Sequence, residues 1–203
     1  EALQRLEIDV LMSHLASAEE NVPLNALQQR RWNEACKALA HRRASLANSA
    51  GIRLGPDYHG NLTRPGIALY GGVPCAALAN SIRQVAYPEA AIIQVRDVQA
   101  GEGVGYNSTF VAERPMKIGI VAIGYADGLL RGWSGKGAMH SGSSRLPILG
   151  RISMDMTAID LFAAPHLNSG DWVTMDYALP EASALTGLSQ YELLTVLGRR
   201  FTR

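Results

Sequence analysis

The feature that most constrains this chain is a change of texture between Pro74 and Asn80. Before it, apolar runs are separated by stretches of helical period. After it, apolar runs follow one another with only Gly- and Ser-rich turns between them. The first pattern predicts βα units of a parallel sheet, and the second an antiparallel sheet or barrel. The expected organisation is therefore an α/β domain over residues 1–78 and an all-β domain over residues 79–203.

In the first part, Ile8 to Leu15 (IDVLMSHL) reads as a strand buried on both faces. Pro23 sits where the first turn of a helix accepts it. Leu24, Leu27, Ala35, Cys36 and Leu39 follow at helical spacing, to about Arg42. Ala44 to Ala47 is a second short strand, Ser49-Ala50-Gly51 opens a turn or helix, and Gly66 to Gly71 reads as a third buried strand. Ile8 has no earlier strand to pair with, so this part reads as the second half of something larger. In the second part the expected strands are Ile92–Val98, Met116–Ile123 (MKIGIVAI), Leu146–Leu149, Met156–Leu161 and Trp172–Met175. A helix over Gly187–Leu197 closes the chain, with Gly198 as its C-cap.

A formal net charge of +1 gives no electrostatic case for nucleic acid or an anionic membrane. No apolar run approaches the ~18 residues of a membrane span, and no leader pattern opens the chain, so the expected compartment is the cytoplasm. Cys36 and Cys75 match no metal spacing, so no metal is expected, and Cys36 on an apolar helical face reads as a buried thiol.

Several residues carry possible chemistry. Ser49 follows a strand, and Gly66 and Ile67 offer unobstructed N–H groups. Phosphate sites of parallel α/β barrels are built this way, although Ser49 could equally cap a helix and Gly66 serve a turn. Arg64 needs an acceptor, either a carboxylate or a ligand. His14 is either a core histidine or a ring that stacks on a flat cofactor. Tyr106, in Val104-Gly105-Tyr106-Asn107-Ser108-Thr109-Phe110, is the candidate acid/base. Tyrosine titrates near about 10, so it is a useful base only where cations such as Arg64, Arg131 or Arg151 stabilise the phenolate. GYADG (residues 124–128) and GRISMDM (residues 150–156) each deliver polar groups at a strand end, or only a turn with a salt bridge. Tyr191 reads as a core aromatic on helical periodicity.

Taken in order, LMSHLASAEE, ANSAG, RPGIALYG, VGYNSTF, GYADG, GRISMDM and SQYELL closely resemble the bacterial alanine racemase family over residues from about 8 to 200. The resemblance implies the later part of a (β/α)8 barrel that binds pyridoxal 5'-phosphate, followed by a C-terminal antiparallel β domain. It implies a head-to-tail homodimer whose active sites draw on both subunits, and a reaction interconverting L- and D-alanine to supply D-alanine for peptidoglycan. A broad-specificity, lysine or serine racemase, or a non-catalytic cofactor-binding or dimerisation module, is the alternative. By the resemblance, Ser49, Gly66, Ile67 and Tyr191 match the phosphate ligands, and Asn48 adjoins them. Arg64 matches the partner of the pyridine nitrogen, and His14 lies beside the ring. Tyr106 matches the second base, and Tyr125 and Met154 match substrate-facing residues of the partner subunit. Glu19, Arg131 and Arg151 match the polar entryway. The lysine that anchors the cofactor in this family has no match in Lys37, Lys117 or Lys136. The resemblance therefore implies a C-terminal portion that is inactive by itself. Ser45 stands where some members have a histidine supporting the pyridine arginine.

Overall fold

The computed structural model describes residues 6–201. The chain divides into two units, residues 1–83 and 84–203. The division falls a few residues beyond the expected 78/79 boundary. A short 3-10 helix over Ala76–Leu78 runs into a turn in which Ser81 and Ile82 donate back to the Leu78 carbonyl, which keeps this stretch with the first unit.

In the first unit, β1 (Val10–Met12) and β2 (Arg43–Ser45) pair in parallel, Val10 opposite Arg43 and Met12 opposite Ser45. The crossover between them is helix α1 (Pro23–Ala38), which starts on its proline as expected, because a residue without an N–H loses nothing in a first turn. Trp32 from α1 packs with Leu15, Ala18, Leu46 and Ala50, and Cys36 lies half-buried against that cluster. Burial pushes the Cys36 thiol above its ordinary value. The expected strand over Ile8–Leu15 is only three residues long, and Met12 is exposed rather than buried on both faces. Helix α2 (Ser49–Arg53) begins at Asn48, whose side chain accepts from the Gly51 N–H at 2.9 Å.

The expected third strand over Gly66–Gly71 is a correction. Residues Ile67–Tyr70 form a 3-10 helix that ends on Gly71 in the left-handed region, at φ 83°. One side chain, Ile67, turns into the protein, while Leu69 and Tyr70 face out. A four-residue apolar run has too little length to separate strand from helix by periodicity.

The second unit is a closed barrel of six strands in the order β10-β3-β6-β9-β8-β7. These are β3 (Glu89–Val98), β6 (Met116–Val121), β7 (Ala138–Ser141), β8 (Ser144–Leu149), β9 (Thr157–Asp160) and β10 (Trp172–Met175). All the pairings are antiparallel, and β10 against β7 closes the ring. Closure leaves no open edge among these strands.

The interior is filled by Ile92, Val121, Trp133, Leu146, Ile159, Tyr177 and their neighbours, with Trp133 and Tyr177 stacked at 5.6 Å. A two-stranded hairpin, β4 (Gly103–Val104) and β5 (Phe110–Val111), covers a second cluster made of Val98, Val104, Ala112, Ile118 and Leu149. Full burial of each large aliphatic there contributes roughly 1.5–3 kcal/mol. That burial seats the hairpin, whose tip carries Tyr106.

The chain closes with two helices rather than one. Helix α3 (Leu179–Thr186) has no counterpart in the sequence reading, and it ends on left-handed Gly187. Helix α4 (Gln190–Thr195) has a capping box in which Ser189 accepts from the Glu192 N–H and Glu192 from the Ser189 N–H. Its C-cap is Val196, so the expected cap at Gly198 is displaced.

Candidate active site

In the first unit, residues gather at the carboxyl ends of β1 and β2. Arg64 is the hub. Its Nη1 donates to Ser45 Oγ at 2.7 Å, and its Nη2 to the Ser13 carbonyl at 2.8 Å and the Leu46 carbonyl at 3.3 Å. His14 Nδ1 lies 3.2 Å from the same Nη2, and His14 Nε2 lies 3.4 Å from Asn48 Nδ2. None of these partners is a carboxylate. The guanidinium is held by neutral acceptors, and its charge is left to act on whatever lies beside it. His14 is exposed, which removes the reading of a core histidine.

Ser49 is 4% exposed, and its Oγ accepts from the Gly66 N–H at 2.8 Å and the Ala68 N–H at 3.4 Å. With its lone pairs so engaged, the hydroxyl proton remains to be donated. A side chain at Gly66 would meet nothing within 4 Å, so the space in front of this backbone is open. A buried hydroxyl, adjoining backbone N–H groups and an arginine without a carboxylate among these partners suit an anionic group such as a phosphate. Glu19, the expected entryway acid, is exposed in the turn before α1.

In the second unit, Tyr106, Asn107, Tyr125, Arg131, Arg151 and Met154 line one cleft of about 300 Å³. The backbone explains why Tyr106 projects there. Gly105 has φ 76° and ψ −175°, a region open essentially to glycine alone. Asn107 and Ser108 then take left-handed conformations at φ 59° and 46°. The tight reversal leaves the Tyr106 ring exposed at the hairpin tip. Tyr125 and Met154 sit on two apposed turns. The Tyr125 N–H donates to the Ser153 carbonyl and the Ala126 N–H to the Met154 carbonyl, both at 3.0 Å. The Arg131 guanidinium stacks over the Tyr125 ring at 5.0 Å. Thus two cations and two phenols share a cleft with no carboxylate in its lining.

Arg151 also lines an adjoining cavity of about 370 Å³ that contains Arg96 and apolar residues of the barrel's outer face. Tyr191 is half-exposed on α4, not the core aromatic that periodicity suggested. Sequence reasoning missed the ion pair between Asp127 and Arg200. Asp127 belongs to a recognisable turn, but its ion pair with Arg200 at 2.7 Å bridges a long separation that no local pattern reports. Among the described residues, no group of three or more His, Cys, Asp or Glu side chains is placed to hold a metal ion. No helix among them is long and apolar enough to cross a membrane.

Comparison with known proteins identifies the frame in which these residues lie. The family described as alanine racemase, C-terminal domain, matches residues 85–203, and that described as alanine racemase, N-terminal domain, matches residues 1–74. This chain belongs to the alanine racemase family. It is 44% identical to a protein named alanine racemase, catabolic, of Agrobacterium fabrum, over 99% of this chain and 53% of that protein. It is 38% identical to the biosynthetic alanine racemase of the same organism, over 96% of this chain and 54% of the relative. The crystal structure of alanine racemase from Bartonella henselae with covalently bound pyridoxal phosphate superposes with a TM-score of 0.87 at 36% identity, over 98% of this chain and 57% of that one. The chain thus spans about half the length of the alanine racemases it matches.

Proposed function

We propose that this chain contributes the later part of a (β/α)8 barrel and the β domain of a pyridoxal-phosphate-dependent alanine racemase that supplies D-alanine. The observation that carries the reading is the cleft of the second unit, which places Tyr106 and Tyr125 with Arg131 and Arg151 and no acid. Such a setting favours a carboxylate-bearing substrate over a cationic one.

In the first unit, Ser49 and the backbone at Gly66 and Ile67 would hold the phosphate, the Gly66 N–H exchanging its present acceptor, Ser49 Oγ, for a phosphate oxygen. Arg64 would face the pyridine nitrogen, with His14 and Asn48 beside the ring. When bound, the cofactor supplies the electron sink for negative charge developing at the substrate Cα. Arg64 would moderate that sink, because a guanidinium only donates and would leave the ring nitrogen an unprotonated acceptor.

Tyr106 Oη takes the Cα proton from one face of the substrate and returns it in the reverse direction. Tyr125 and Met154 bound the substrate's carboxylate end, and Arg131 and Arg151 form the polar approach. The opposite face requires a lysine outside these 203 residues. Lys117 is committed to the carbonyls of Pro165 and Leu167, Lys37 lies on the exposed face of α1, and Lys136 is exposed in the turn before β7. The assembly is a homodimer in the cytoplasm, in which the cleft of one subunit faces the cofactor cradle of the other.

The test is Tyr106→Phe, made in the longest reading frame that contains these residues. Racemisation should fall by about 10²- to 10⁴-fold in both directions. In D2O, one alanine enantiomer should still exchange its Cα proton through the opposite base. Wild-type racemisation by the phenylalanine variant would defeat the assignment. The 203-residue chain alone should not racemise alanine, and turnover by the pure chain would show that its own residues supply both bases.

A further inference from the structure

We infer that Arg200 is a positioning residue for the substrate cleft: it fixes the spacing of the two turns that present Tyr125 and Met154. The inference rests on the proposed role of those two residues.

Asp127 is 6% exposed, two residues after Tyr125. Its Oδ2 accepts from the Gly124 N–H at 3.0 Å, and its Oδ1 pairs with Arg200 Nε at 2.7 Å. Arg200 Nη2 reaches Asp155 Oδ1, adjacent to Met154, at 2.8 Å. The side chain of Asp155 raises the tendency of the Arg200 guanidinium to stay protonated, and the Asp127 charge adds to this. The segment that delivers Arg200 is anchored as well, because the Gly198 N–H donates to the Asp127 carbonyl at 2.9 Å. One guanidinium therefore ties together the Tyr125 turn, the Met154 turn and the tail that follows Tyr191.

An arginine suits this task and a lysine does not. Nε and Nη2 of a planar fork address two carboxylates in fixed directions, whereas an ammonium is a single point charge. Arg200 and Asp155 are each about half exposed, so that arm of the clamp adds little stability. The Asp127 arm differs, because losing the cation leaves a buried carboxylate unpaired, and the turn must move to rehydrate it. The consequence falls on where Tyr125 and Met154 stand.

The experiment compares Arg200→Met, Arg200→Lys and Asp155→Asn with the parent holoenzyme, made from the longest reading frame containing these residues. It measures kcat and KM for both alanine enantiomers, and amide hydrogen exchange in residues 124–128 and 153–156. Arg200→Met should raise KM about fivefold with kcat changed less than about twofold, the signature of lost uniform substrate binding. Exchange in both turns should accelerate. Arg200→Lys should recover thermal stability more fully than KM, and Asp155→Asn should give a smaller KM shift than Arg200→Met. Unchanged KM with unchanged exchange overturns the inference, and so does a fall in stability with kcat and KM both constant. If the parent protein does not turn over alanine, the functional reading has failed, and the exchange data alone decide whether Arg200 holds the turns.

Discussion

Tyr177 shows how much one side chain sets at this site's foundation. It is 1% exposed, stacks on Trp133 and donates its hydroxyl to the Leu193 carbonyl, so it joins the barrel interior to α4 and hence to Tyr191. Burial pushes its phenol well above the ordinary tyrosine range. The unfolded chain ionises this residue near about 10, while the folded protein keeps it protonated further. Above that pH the unfolded state binds fewer protons than the native state. Stability is therefore full below the unfolded value and falls as pH rises toward the folded one. Tyr177→Phe should cost about 1 kcal/mol at neutral pH, because the carbonyl loses its donor. It should also flatten the alkaline loss. Urea unfolding at pH 7.5 and pH 10.5 measures both, and an equal alkaline loss in the two proteins would show that the phenol is not responsible. At this scale the sequence was legible where a residue's neighbours in the chain make its setting, as with Tyr106 behind Gly105. It was not legible for Asp127 and Arg200, nor for the neutral acceptors around Arg64, because folding supplies those partners.

The turns that carry Tyr125 and Met154 behave as a single element. Gly124 permits it: a Cβ there would stand 2.4 Å from both the Ser153 and the Met154 carbonyl oxygens. Gly124→Ala should force the turns apart, costing about 1–3 kcal/mol as overpacking does. It should reduce the proposed racemase activity of the holoenzyme by more than the loss of folded protein accounts for, as activity per mole of cofactor-loaded protein would reveal. Helix α4 depends on its capping box. Ser189→Ala should destabilise the second unit by about 1 kcal/mol. Glu192 is held below the usual carboxylate range by the Ser189 N–H first and the Ser189 hydroxyl second. Its contribution is present above the unfolded glutamate value and disappears as pH falls through the folded one. Thermal melts from pH 7 down to pH 3 should therefore converge for wild type and the Glu192→Gln variant. Elements were legible where length or chemistry was decisive. MKIGIVAI is a strand because β6 serves two clusters, Val121 inward and Ile118 under the hairpin. The short run Ile67–Tyr70 offered no such discrimination. Helix α3 did carry signals, Pro180 in its first turn and Gly187 past its end, but they were masked by the apolar texture around them.

At the scale of the molecule, the two units differ in how completely they satisfy their own backbones. The second has a closed ring of strands and a large apolar interior that includes fully buried Trp133, Tyr177, Ile92 and Ile159. Among the described residues, the first has one parallel strand pair and a small cluster around Trp32. A parallel pair with open edges is not a stable sheet in water, whereas a barrel has no edges to protect. The change of texture near Pro74 announced this asymmetry, since helices between strands require neighbours that a barrel of hairpins does not. Residues 84–203 produced alone should accordingly fold and unfold in one cooperative transition, reported by near-ultraviolet circular dichroism of the stacked Trp133 and Tyr177. Residues 1–83 produced alone should show no such transition and should exchange their backbone amides without protection. If the smaller piece unfolds cooperatively and the barrel piece does not, the barrel owes its closure to chain outside it, and the cleft around Tyr106 cannot be treated as a preformed half of the active site.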